Sequence, residues 1–95
     1  MKVFWTDAAV DQLRAIHAHI ERTSPAYALP VVDRLTRRTQ QLEAFPMSGR
    51  RVPKSELEAV REVIEGSYRI VYELPLERIE VLAVLHGARS IERAP

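Results

Sequence analysis

Arg61-Glu62-Val63-Ile64-Glu65-Gly66-Ser67-Tyr68-Arg69-Ile70-Val71-Tyr72-Glu73-Leu74 switches this chain from a helical to an extended period. Two runs rich in β-branched and aromatic residues flank Gly66-Ser67, a dipeptide suited to a tight turn, so an antiparallel hairpin is predicted. Downstream, residues 75–77 turn the chain again and Arg78 to Leu85 forms a further strand that ends at His86-Gly87. Upstream, residues 46–53 read as a loop. Before that loop the apolar spacing is helical. Val10, Leu13, Ile16, His17 and Ile20 form one stripe, and Ala28, Val31, Val32, Leu35, Thr39 and Leu42 form another. Thr6 is a capping residue with Asp7 in the first turn, and the first helix is expected to run to about Arg22. Ser24-Pro25 restarts a helix, and Phe45-Pro46 closes it. Pro30 either kinks this second helix or marks its true beginning. Val3 to Trp5 completes the set as a short first strand. The order is β-α-α-β-β-β, an α+β fold with an antiparallel sheet packed against a two-helix hairpin.

Ninety-five residues fit one domain, 1–95, with one modest core. The chain has no cysteine, which excludes disulfides, thiolate nucleophiles and cysteine-based zinc sites. Asp7 follows the opening Met-Lys-Val-Phe-Trp, so no signal-peptide core is expected. No apolar run reaches the ~18–20 residues of a membrane span. A cytoplasmic protein without a membrane partner is the expectation. The net charge is +1, yet Lys2 and Lys54 are the only lysines among fourteen basic residues. Arginine grips phosphate and carboxylate with a planar fork; a GC-rich genome gives the same bias with no function attached.

Several of these segments carry a family pattern. Trp5-Thr6-Asp7-Ala8-Ala9 leading into Asp11-Gln12-Leu13 resembles the start of RelE/ParE toxins. So do Leu42-Glu43-Ala44-Phe45-Pro46-Met47-Ser48-Gly49-Arg50, the stretch from Arg61 to Tyr72, and a last strand ending in His86-Gly87-Ala88-Arg89. The resemblance covers nearly the whole chain. It implies the toxin of a bacterial type II toxin–antitoxin pair, a growth inhibitor masked by a cognate antitoxin. The second apolar stripe then offers a groove for an antitoxin helix or strand. Within the superfamily, RelE-type members cleave messenger RNA, usually on the ribosome and without a metal, whereas ParE-type members poison DNA gyrase.

Metal-free RNA cleavage needs a general base, an acid and cations on the scissile phosphate. The resemblance puts Arg69, His86 and Arg89 in those catalytic roles. Arg69 matches a phosphate-binding arginine ahead of Ile-Val-Tyr, and His86 falls where some relatives place a catalytic histidine. The plainer roles are an exposed strand arginine paired with Glu62 or Glu73, a strand-end histidine bonded to backbone, and a solvated tail residue. RNA-cleaving relatives crowd basic residues on the strand that here carries Val63 and Ile64, and often add an aromatic residue after the last strand. Both features are missing. The favoured reading is therefore a ParE-type gyrase inhibitor, with Arg89 and Arg93 as target-binding residues. A messenger RNA endoribonuclease is the alternative, and an inactive partner-binding relative is a blander third. Replacement of Arg69 or His86 is expected to leave the fold intact. Tyr68 and Tyr72 share a strand face with Ile70 and read as core. His17 and His19, at i and i+2, point to different sides of their helix, so neither a metal nor any other cofactor is expected.

Overall fold

The computed structural model describes residues 1–52, 60–75 and 77–87. Strand β1 (Lys2–Trp5) leads into helices α1 (Asp7–Thr23) and α2 (Pro25–Gln41). Strands β2 (Arg50–Arg51), β3 (Val60–Glu65), β4 (Tyr68–Glu73) and β5 (Arg78–His86) follow. They form one sheet in the order β1-β5-β4-β3-β2. The expected order of elements is present, with one extra two-residue strand, β2, inside the 46–53 loop. The sheet is mixed, because β1 runs parallel to β5 with Trp5 opposite Val81, while the remaining pairs are antiparallel.

Thr6 explains how β1 hands over to α1. Its hydroxyl accepts from the Ala9 N–H at 3.2 Å and donates to the Val81 carbonyl at 2.8 Å, so one side chain caps the helix and ties it to β5. Thr6→Ala removes both bonds, and chemical denaturation should show a loss of about 1–2 kcal/mol. A variant as stable as the parent would mean that neither bond contributes. Ser24 alone connects the two helices: its N–H bonds the Ile20 carbonyl at 2.6 Å, and its own carbonyl accepts from Tyr27 at 2.8 Å. The α2 helix starts at Pro25 and runs through Pro30. The N–H that Pro30 lacks would have bonded Ala26, which is exposed, so water can serve that carbonyl.

Alternation along the strands sorts side chains to two faces. Val63, Ile70, Tyr72, Ile79, Val81 and Val84 pack toward the helices with Ala9, Leu35 and Leu42, and Tyr68 lies at the margin of that cluster. Val52, Val60, Val71, Ala83 and Leu85 form a second buried cluster on the opposite, open face. Ile64 lies on the open face beside Arg69 and is 52% exposed. Glu65, on the helix side of β3, meets Arg34 at 3.3 Å and Arg38 at 3.9 Å, joining α2 to the sheet. Gly66 has φ of 59°, the left-handed conformation required by the two-residue turn between β3 and β4. No helix among the described residues is long and apolar enough to cross a membrane.

One irregularity controls the far end of β5. Glu73 and Tyr72 pair with Glu80 and Val81, but Val71 pairs with Ala83, leaving Leu82 as an extra residue, a β-bulge. The N–H of Val84 just beyond it is satisfied by the Gln12 side chain of α1 at 2.8 Å. The bulge displaces every later residue of β5 by one position, so His86 pairs with Tyr68.

Candidate functional site

Three of the sequence segments singled out above meet on the rim of the sheet beside β2. Tyr72 is fully buried, and its hydroxyl accepts from the Gly49 N–H at 2.9 Å and donates to the Pro46 carbonyl at 2.8 Å. Burial raises the Tyr72 pKa, and the Gly49 bond offsets part of that effect. The neighbouring Arg61 donates to the Gly49 carbonyl at 2.7 Å. The 46–50 loop is thereby fastened to β3 and β4.

Around the loop, on the open face, lies a charged triad. Glu62 is 1% exposed. Arg50 donates to its Oε2 through Nε at 2.6 Å, with Nη2 also at 2.6 Å. Arg69 donates to Oε1 through Nε at 3.0 Å and also through Nη2. The side chain of Arg69 is 12% exposed and that of Arg50 is 64% exposed. A buried carboxylate is tolerated when cations and hydrogen bonds offset its desolvation, and here each oxygen is held by one guanidinium. Of the two partners proposed for Arg69, Glu62 is an observed one. Glu62 and Arg50 were not flagged as a site in the sequence. The available signal was the charge at Glu62 between Val60 and Ile64, at alternating positions of one strand face.

Of the predicted catalytic residues that the structure describes, Arg69 belongs to this triad and His86 does not. His86 stacks edge-on against Tyr68, with ring centroids 5.1 Å apart. The two line a cleft beside α1 together with Ala15, Ile16 and His19. His86 therefore faces the helices, whereas Arg69 projects from the other side of the sheet. The bulge is responsible: on an unbroken β5, His86 would pair one residue earlier and share the face of Arg69. Arg89 and Arg93 lie outside the described residues. His17 and His19 border different clefts; His17 joins Leu13, Arg14 and Val32 in a depression of about 260 Å³ between the helices. Val32 is the member of the second apolar stripe that lines this depression, while Ala28, Leu35, Thr39 and Leu42 of the same stripe are buried.

A family model described as the ParE toxin of type II toxin-antitoxin system, parDE, matches residues 3–91. The chain is 31% identical to the Y4kP protein of Sinorhizobium fredii, a protein named provisionally as a toxin, over 88 residues that make up 90% of this chain and 88% of that one. Among solved structures, the chromosomal ParDE system from P. aeruginosa superposes with a TM-score of 0.78 at 24% identity, covering 92% of this chain and 96% of that one. The RelBE2 toxin-antitoxin complex from Mycobacterium tuberculosis gives 0.60 at 20% identity, over 90% and 95% of the two chains. A YoeB/ParE toxin from Agrobacterium tumefaciens gives 0.60 at 19%, over 92% and 99%. At these identities the structural likenesses concern the fold.

Proposed function

Because this chain belongs to the ParE toxin family of type II toxin–antitoxin systems, we propose that it arrests growth by binding DNA gyrase and that a cognate antitoxin neutralises it. The observation that carries the choice of target is the placement of Arg69 and His86 on opposite faces of the sheet. Cleavage of an RNA phosphodiester needs its acid–base group and its phosphate-binding cation within hydrogen-bond reach of one phosphate. Among the described residues, Arg69 is engaged with Glu62 and the His86 imidazole lies beside α1. A binding protein needs no such convergence. The two helices of seventeen residues each give it a long, rigid scaffold for a protein target. In this reading Arg89 and Arg93 contribute to the gyrase contact, since arginine is enriched among the residues that dominate binding energy at interfaces.

Expression of the chain alone in bacteria is expected to stop growth with filamentation and induction of the DNA-damage response, and co-expression of the adjoining gene should restore division. With purified gyrase and plasmid, cleaved DNA should accumulate. Collapse of protein synthesis within minutes, with DNA intact, would transfer the assignment to a messenger RNA endoribonuclease centred on the His86 cleft. In that case His86→Ala should lower cleavage by about 10²-fold or more.

A further inference from the structure

The open face of the sheet holds a two-arginine cradle whose occupant is one of the chain's own side chains. Arg50 and Arg69 each direct Nε and Nη2 at one oxygen of Glu62. A planar guanidinium fork matches carboxylate and phosphate alike, since both offer paired anionic oxygens. Among the described residues, two guanidinium groups converge on this one carboxylate, one on each of its oxygens. Arg50 is the accessible member, with a side chain 64% exposed and both of its described side-chain bonds made to Glu62. An exposed arginine normally samples many rotamers; this one is held in a single orientation by a carboxylate that solvent does not reach.

We infer that Glu62 is a built-in surrogate anion: it fills the phosphate-class position between Arg50 and Arg69 and makes the open sheet face refuse a nucleic-acid backbone. Glu62 is then a specificity-determining residue. Its carboxylate turns a phosphate-binding arrangement of side chains into an internal fastening. The inference rests on the gyrase-directed reading and deepens it, by giving a reason why that reading assigns no RNA contact to a face that carries these arginines. Glu62→Gln preserves shape and removes the charge, raising the local net charge by one unit and releasing Arg50 toward solvent.

The test uses the purified chain and a short fluorescein-labelled single-stranded RNA, followed by anisotropy at low salt with inorganic phosphate as competitor. Glu62→Gln should bind the RNA about tenfold more tightly than the parent, as expected for roughly one added phosphate contact. Phosphate should displace it, and Arg50→Ala on top of Glu62→Gln should return binding to the parental level. A folded Glu62→Gln that gains nothing overturns the inference, as does a parent that already binds as tightly. Should Glu62→Gln fail to fold, Arg50→Ala in the parent decides: the arginine is occupied, so RNA binding should change by less than about twofold, whereas a several-fold loss shows that Arg50 already meets RNA. Cleavage of the RNA by the parent chain sinks the gyrase-directed reading itself. An inert parent with an unresponsive Glu62→Gln sinks the surrogate-anion inference alone.

Discussion

Arg69→Ala is expected to lower the unfolding free energy by about 3–5 kcal/mol, because it strands a buried carboxylate. Glu62 is 1% exposed and would keep Arg50, whose own side chain is 64% exposed, as its remaining described cation. For a chain of this size the thermal midpoint should fall by at least roughly 12 °C. The sequence had suggested that this substitution would leave the fold intact, on the view that an arginine on a strand face lies outside the core. That expectation counts the position of Arg69 and omits its partner. Thermal and denaturant unfolding of Arg69→Ala settle the point, and a midpoint within a degree or two of the parent would show that the triad contributes nothing. Replacing both Glu62 and Arg69 with leucine should recover much of the loss, since apolar side chains of similar volume often substitute for a buried ion pair. The consequence for function is direct. A non-toxic Arg69→Ala reports a damaged scaffold until its melting curve says otherwise.

The parts of this fold that were legible are those governed by local rules. Thr6 before Asp7, the two apolar stripes and Gly66-Ser67 between alternating runs each place an element without reference to distant residues. Partner choice is different. Four residues of β1 contain no signal that they lie parallel to β5, and Arg50–Arg51 forms a strand because Glu62 and Arg61 stand opposite. The most consequential hidden feature is Leu82. Bulges depend on how two strands are fitted together, and the run from Arg78 to His86 shows no break that marks one. Read as an unbroken strand, it aims His86 at the side of Arg69 and makes a catalytic pair look natural. With Leu82 inserted, His86 turns toward α1. The candidate site is thus half legible: the pattern points to Arg69 and offers Glu62 as a partner, whereas nothing local marks the exposed Arg50, whose place in the triad depends on the pairing of β2 with β3.

Gly49→Ala should be almost as damaging, with an expected loss of about 2–4 kcal/mol from overpacking and from hydrogen bonds displaced with it. A Cβ at this position would stand 2.5 Å from the Tyr72 hydroxyl and 2.7 Å from the Glu62 carbonyl oxygen, closer than real contacts allow. Neither neighbour yields easily. Tyr72 is fully buried and bonded to both Gly49 and Pro46, and the Glu62 carbonyl belongs to the backbone of β3. Displacing the hydroxyl breaks the two bonds that fasten the loop, and displacing the loop moves Arg50 away from Glu62. A double-mutant cycle identifies the cause. Tyr72→Phe removes the atom nearest the new methyl group, so Gly49→Ala combined with Tyr72→Phe should cost clearly less than the sum of the single changes, a coupling of about 1 kcal/mol or more. Strict additivity would place the strain elsewhere, and a Gly49→Ala variant within about 0.5 kcal/mol of the parent would show that this packing does not persist in solution. The glycine and the arginine of the Gly49-Arg50 pair thus act on one structure from two sides. Gly49 lets the loop approach Tyr72 closely, and that approach carries the Arg50 guanidinium to the carboxylate of Glu62. Loss of toxicity from a substitution at either residue is therefore first expected to trace to this fastening, with target contact tested on variants whose unfolding transition is unchanged.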